Sequence, residues 1–90
     1  MAVYMVERDL PGISIGELAA AQKAAIEKVR EFNAEGRDVR YMRSIFVSGE
    51  SRCMCLFEAG SADTVRAVNE AAQLPFTGIK EAMDLPPQSS

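Results

Sequence analysis

Two helix-start signals constrain the fold of this chain more than any other feature, because strand-forming segments surround each of them. Ser14 and Glu17 have the S-x-x-E spacing of a capping box, in which both side chains satisfy backbone amides at the start of a helix. Ser61 offers a second N-cap, with Asp63 in the turn that follows. Apolar residues at helical spacing follow both signals, so the sequence predicts helices near residues 15–35 and 61–73.

Four segments outside these helices carry the β-branched, aromatic and other apolar residues that favour strands. Turn-forming residues bound them, including the Pro-Gly pair at 11–12 and the Ser-Gly-Glu-Ser run at 48–51. The strands are expected at residues 3–9, 39–47, 52–57 and 77–85. The order β-α-β-β-α-β predicts an α+β, ferredoxin-like fold, in which a four-stranded antiparallel sheet of order 4-1-3-2 carries two helices on one face.

The length of 90 residues allows one domain. We expect a single ferredoxin-like domain over residues 1–90, with an ordered core at about 3–85 and a C-terminal tail at 86–90. A domain of this size buries only about two-thirds of the surface of its unfolded chain, which favours association with a second copy. The sequence therefore predicts a homodimer.

The charge balance and the missing residue types narrow the classes of function. A formal net charge of -3 is unfavourable for binding nucleic acid or an anionic membrane. No stretch has the length of an apolar transmembrane helix, and the N-terminus lacks the basic and apolar regions of a signal peptide. We therefore expect a cytoplasmic protein with neither nucleic acid nor membrane as a partner. The chain has no His, so the commonest general base and metal ligand is missing.

The turn between the second and third strands decides which hairpin residues share a face. A two-residue loop at 49–50 pairs Phe46 with Cys53, Ser44 with Cys55 and Met42 with Phe57. These small or apolar side chains suit the face under the helices. The opposite face then mixes charged and apolar groups, and a half-apolar face of this kind is usually covered. The sequence predicts dimerisation through or beside it.

Tyr41, Arg43 and Glu58 form the candidate ligand-binding site on that mixed face. Arg43 lies diagonal to Glu58 in this register, within reach of an ion pair. Either the pair neutralises two charges inside apolar strands, or Arg43 presents its guanidinium to an anionic ligand such as a carboxylate. Three further charges in the strands, Glu7, Arg8 and Glu81, have the same two interpretations.

Cys53 and Cys55 point to one face of the third strand. Their β-carbons are expected about 6.6 Å apart, too far for an internal disulfide. A C-x-C pair in a chain without His lacks the ligand set of a tetrahedral zinc site, so we predict no metal ligands here. We interpret both as small buried residues, and a reactive thiol at Cys55 is the alternative. No basic residue is expected on the same face to lower its pKa.

Several segments of the chain, taken together, resemble a known family. They are residues 4–12, 39–44, 53–59 and 62–66. Over about residues 3–85 the chain is similar to a small bacterial ferredoxin-like family of unknown function, whose best-known member is a dimeric nickel-binding protein. The resemblance implies a ferredoxin-like subunit, a homodimer and the binding of a divalent transition metal such as nickel.

Two positions depart from the pattern of that family. Its members carry a His just before the Ser of the second strand, where this chain has Arg43, and Gly60 replaces a Pro before the second helix. Imidazole suits nickel, whereas a guanidinium cannot coordinate a cation. We therefore expect affinity for nickel or zinc to be weak or absent.

Three functions follow from these observations. The first, which we take as the primary hypothesis, is a small homodimeric binding module for a small molecule or a divalent transition metal. The second is a cofactor-independent enzyme resembling the dimeric α+β barrel isomerases and monooxygenases. A pocket of about 300 Å³ or more lined by Tyr41, Arg43 and Glu58 would favour it. The third is a purely structural or interaction subunit, which a fully covered open face would favour. No catalytic residue is assigned.

Overall fold

A computed structural model describes residues 1–87 and contains six elements in the predicted order. They are β1 (Ala2–Asp9), α1 (Ile15–Ala34), β2 (Val39–Val47), β3 (Arg52–Ala59), α2 (Ala62–Ala71) and β4 (Gly78–Ala82). The tail expected at 86–90 follows the last of them, and residues 88–90 lie outside the described part of the chain.

The four strands form one antiparallel sheet in the order β2-β3-β1-β4, which is the predicted order. Strands β1 and β3 lie at the centre, and β2 and β4 lie at the edges. Both helices pack on one side of the sheet, which we call the helix face, and we call the other side the open face. The ferredoxin-like α+β fold is therefore confirmed.

Capping determines where the helices begin and end. The hydroxyl of Ser14 accepts a hydrogen bond from the backbone N–H of Glu17, and the Glu17 carboxylate accepts one from the backbone N–H of Ser14. The bonds from the Ser14 backbone and hydroxyl together lower the pKa of Glu17. Gly36 adopts a left-handed φ of +81° just after α1, which ends the helix. Ser61 caps α2, as predicted.

Strict alternation along the central strands builds the core. In β1, Tyr4 and Val6 are buried on the helix face, and Arg8 follows them on the same face. In β3 the residues on that face are Cys53, Cys55, Phe57 and Ala59, and all of them are buried. Completely buried Val65 and Val68 of α2 belong to the same cluster. The helix face therefore carries the hydrophobic core.

Strand β2 departs from the predicted register at one residue. The predicted pairs Phe46–Cys53 and Ser44–Cys55 are confirmed, but the predicted pair of Met42 with Phe57 is wrong. The register shifts between Tyr41 and Arg43, so Met42 is the extra residue of a β-bulge and Tyr41 pairs with Phe57. The bulge moves Tyr41 from the predicted open face to the helix face.

The last strand is shorter than predicted, because β4 ends at Ala82 rather than at residue 85. Two residues later, the carboxylate of Asp84 accepts a hydrogen bond of 2.8 Å from the guanidinium of Arg43. Arg43 lies on β2 at the other edge, about 14 Å from β4 by the spacing of strands, so the chain turns across the open face to meet it. No helix among residues 1–87 is long and apolar enough to cross a bilayer.

Candidate functional site

A cavity of about 500 Å³ opens between the N-terminal half of α1 and the helix face of the sheet. Its residues come from α1, from strands β1, β2 and β3, from the loop after β1 and from the segment after α2. They are Arg8, Leu10, Ile13, Ile15, Leu18, Ala19, Ala21, Gln22, Ala25, Tyr41, Ser44, Phe46, Cys53, Cys55, Leu74 and Pro75. The wall is mostly apolar and includes a small number of polar groups.

Small side chains on both sides account for this cavity. The buried residues of α1 are Ala25, Val29 and Phe32, all of which lie in its C-terminal half. Nearer the N-terminus the helix presents Ala21 to a floor that contains Ser44. Short side chains facing each other cannot fill the space that aromatic and branched side chains fill further along the helix, so a gap remains.

Arg8 is the charged residue of the cavity wall. Only 4% of it is exposed. Its Nη2 donates a hydrogen bond of 2.6 Å to Oδ1 of Asn69 in α2, and its Nη1 donates one of 3.1 Å to the carbonyl of Pro75. Asn69 is held in turn by a bond from its amide to the Val65 carbonyl. The guanidinium is thus fixed by two neutral acceptors at the edge of the cavity.

Cys53 and Cys55 form part of the floor. Both are free and buried, as expected, and their Sγ atoms lie 3.8 Å apart. Burial, followed by the neighbouring Cys55 thiol, raises the pKa of Cys53 to about 11, and nearby Arg8 offsets this only in part. Cys53 is therefore a protonated thiol at neutral pH. The expectation that no basic residue shares this face is wrong, because Arg8 lies on the same face as Cys53, directly opposite it on the adjacent strand β1.

A chain of hydrogen bonds crosses the side of the cavity near β2. The Tyr41 hydroxyl bonds the hydroxyl of Ser44 and accepts a bond of 3.0 Å from the amide of Gln22 in α1. The Ser44 hydroxyl also bonds Sγ of Cys55 at 3.0 Å. The Tyr41 ring packs against that of Phe57, with 5.4 Å between centroids. These groups offer hydroxyl and amide partners to a polar atom of a ligand.

The structure separates the three residues predicted as a ligand site. Tyr41 lines the cavity on the helix face, whereas Arg43 and Glu58 lie on the open face. The predicted ion pair of Arg43 with Glu58 is wrong, because Arg43 pairs with Asp84 and Glu58 pairs with Arg40 at 3.1 Å. The bulge is the reason, since it brings Arg40 rather than Tyr41 opposite Glu58.

A comparison with protein-family models identifies the family of this chain. The family model described as "Nickel responsive protein SCO4226-like" matches residues 4–81, which include both helices and nearly the whole sheet. The chain belongs to the SCO4226-like family. The family resemblance expected from the sequence is thereby confirmed. No curated protein matches the chain.

The crystal structure of SCO4226 from Streptomyces coelicolor A3(2) is similar to this SCO4226-like chain over nearly its whole length. The two share 26% sequence identity and a TM-score of 0.76, with 99% of this chain and 100% of that one covered. The similarity supports the same fold and the same arrangement of helices on the sheet.

The open face of this SCO4226-like chain holds ion pairs. Glu7 lies 3.3 Å from Lys80 and 3.6 Å from Arg52, and Arg52 also contacts Asp9 at 3.7 Å. Within residues 1–87, no group of three or more His, Cys, Asp or Glu side chains is placed to hold a metal ion. The two thiols lie on the helix face, so the sheet separates them from Glu7.

Arg8 is the site residue whose role the sequence did not reveal. The sequence places it among the charged residues of the strands and does not assign it to a face of the sheet. The signal was present, because Tyr4, Val6 and Arg8 occupy alternate positions of β1 and therefore share a face. Alternation alone does not predict the distance between α1 and the sheet. It is this distance that leaves a cavity with Arg8 in its wall.

Proposed function

We propose that this SCO4226-like chain is a small homodimeric binding module that holds an apolar organic molecule in the cavity between α1 and the sheet. The observation that carries the proposal is a volume of about 500 Å³ with a mostly apolar wall and a few convergent polar groups. This size and lining are typical of small-molecule sites, which range from about 300 to 1,000 Å³. Water gains few hydrogen bonds in such a cavity, so an apolar ligand displaces it favourably.

Two observations favour binding over catalysis. The cavity meets the size of about 300 Å³ or more that would favour a cofactor-independent enzyme, and Tyr41 lines it, but Arg43 and Glu58 are not among its lining residues. Burial holds one of its two thiols, Cys53, protonated, and the chain has no His to act as a base.

The homodimer in this proposal is supported by the composition of the open face. Met5, Met54 and Leu56 are half-buried there with neither α1 nor α2 over them, and Ile45 is 56% exposed. Acidic and basic residues lie together around them, which allows the same surface on two copies to be self-complementary. A second copy would cover the apolar strip and extend the small core.

The family description raises nickel as an alternative ligand. The donor chemistry of this chain argues against tight direct binding, because it has no imidazole and its thiols lie on the opposite face of the sheet from Glu7 and Glu58. We expect calorimetric titration with Ni²⁺ to give no stoichiometric site of sub-micromolar affinity. A stoichiometric site of that affinity that is lost in the variant Cys55→Ser would contradict this expectation and would identify a metal, rather than an organic molecule, as the ligand.

The binding proposal is tested with a neutral apolar fluorophore, N-phenyl-1-naphthylamine. We expect its fluorescence to rise on saturable binding to the wild type. The variant Ala21→Phe should abolish the rise, because the new ring fills the space between α1 and the floor. Ala20→Phe is the matched control, since Ala20 is exposed and does not line the cavity.

Equal binding by both variants and the wild type would contradict the proposal. So would the absence of saturable binding to the wild type, which would favour a structural subunit. The dimer is tested separately by light scattering at micromolar concentration, which should give twice the chain mass of 9.8 kDa. Arg substitution of half-buried Leu56 should give a folded monomer, whereas a monomeric wild type would refute the dimer.

A further inference from the structure

Arg8 carries a buried charge that no acidic residue balances. Within residues 1–87, the arginines that form ion pairs are Arg40, Arg43 and Arg52, all on other surfaces of the molecule. The partners of Arg8 are a side-chain amide and a backbone carbonyl, both neutral. Burying a cation without a counter-charge is unfavourable, so this position calls for an anion.

The groups nearest to Arg8 cannot supply that anion. Cys53 is the direct partner of Arg8 on the adjacent strand, but burial keeps this thiol protonated at neutral pH. The carboxylate of neighbouring Glu7 lies on the open face with Lys80 and Arg52. Arg8 lines the cavity, so a ligand held there could supply the anion.

The guanidinium of Arg8 has donors left for such a partner. Arginine has five N–H donors, and the two bonds to Asn69 and Pro75 use two of them. Those two bonds also fix the orientation of the guanidinium, so a ligand would find it pre-organised. A carboxylate matches this planar donor set better than a single-point acceptor does.

The other residues of the cavity wall determine which chemistry suits the rest of the ligand. Leu10, Leu18 and Phe46 line the space beyond Arg8, and apolar contact there favours a hydrocarbon chain or an aromatic ring. We propose that the cavity selects a monocarboxylic acid with an apolar body, whose carboxylate pairs with Arg8. This inference rests on the proposed binding function and names its ligand class.

A structural role for Arg8 is the competing explanation. Its bond to Pro75 ties β1 to the segment after α2, and a cation near a helix C-terminus is stabilising. In that case Arg8 would contribute to the stability of the fold but not to the choice of ligand. The two roles differ in whether its substitution changes the preference for an acid over an uncharged analogue.

The experiment measures displacement of N-phenyl-1-naphthylamine by decanoate and by decanamide, which differ in charge but hardly in size. We expect decanoate to bind the wild type roughly 10- to 100-fold more tightly, as hydrogen bonds to a charged group would give. In Arg8→Gln the preference should fall below about 3-fold. Arg30→Gln is the matched control, because Arg30 is exposed on α1, and it should keep the wild-type preference.

Decanamide binding as tightly as decanoate would overturn this inference and leave the binding function intact, whereas no dye binding would overturn both. A preference that survives in folded Arg8→Gln would also overturn it. Wild-type protein alone provides a second measurement, through the ¹³C signal of carboxyl-labelled decanoic acid. Pairing with Arg8 should lower the pKa of the bound acid below its value in water, and a raised pKa would show burial without a partner.

Discussion

The two halves of α1 pack differently against the same sheet. The C-terminal half buries Val29 and Phe32 in the core, beyond the cavity wall, which reaches Ala25. The N-terminal half starts at Ile15, which is 78% exposed, and covers a cavity rather than a packed interior. One helix therefore serves two purposes, because the packed half anchors it firmly enough for the other half to stand away from the sheet.

The difference shows how a 90-residue chain keeps a cavity without losing its fold. A small domain has little apolar burial to spare, and an unfilled space forfeits packing contacts. Here the loss is confined to one end of one helix, while α2 remains closely packed through completely buried Val65 and Val68. Close packing and open space thus lie in separate regions.

The largest expected effect comes from truncating the packed half. Phe32→Ala should lower the free energy of unfolding by about 3–5 kcal/mol, because a buried aromatic ring leaves a cavity when it is removed. Leu18→Ala, at the cavity, should cost only about 1 kcal/mol, since that side chain is half-buried and faces space already open. Urea unfolding followed by circular dichroism measures both. Equal costs would mean that the two halves of α1 are packed alike.

Enlarging a side chain should have opposite effects in the two halves. Ala21→Phe adds apolar area inside the cavity and should be neutral or stabilise the fold by about 1 kcal/mol. Val29→Phe adds volume where the core is already full and should cost about 1–3 kcal/mol. The comparison uses the same unfolding assay. A loss of stability in both variants would indicate that the cavity closes in solution.

A pH-dependent effect is expected from the buried thiol of Cys53 at alkaline pH. Burial raises the pKa of Cys53 from an ordinary value of 9.0 to about 11, so the folded state holds its proton where the unfolded state has lost it. This contribution to stability is complete below about pH 9 and is lost as the pH rises towards 11. Unfolding temperatures measured from pH 8 to 10.5 should fall more steeply for the wild type than for Cys53→Ala. Parallel curves would show that the thiol is not shielded.

Much of the fold could be predicted from local signals. The capping box at Ser14 and the glycine at position 36 set the ends of α1 almost to the residue, since both act through bonds within the adjoining turn. The hairpin pairs near its turn were also predicted correctly, because the loop fixes them. The register was lost only beyond Met42, where an extra residue enters one strand without any Gly or Pro to indicate it.

The site was much less predictable. Tyr41 lies on the helix face rather than on the predicted open face, because the bulge reverses the alternation on which the prediction rests. Arg43 and Glu58 were chosen for a pairing that Asp84 and Arg40 take instead. The cavity depends on the summed volumes of side chains from α1 and three strands, and periodicity carries no information about such sums.

The bulge at Met42 also bears on how copies of this chain can meet. It lies on β2, an edge strand, and the opposite edge strand β4 has only five residues. Free backbone groups at a long regular edge attract further strands and can propagate into fibrils, whereas an interrupted or short edge is a poor template. Both edge strands of this sheet are therefore poor templates for the addition of further strands. Assembly through the broad open face would stop at two copies.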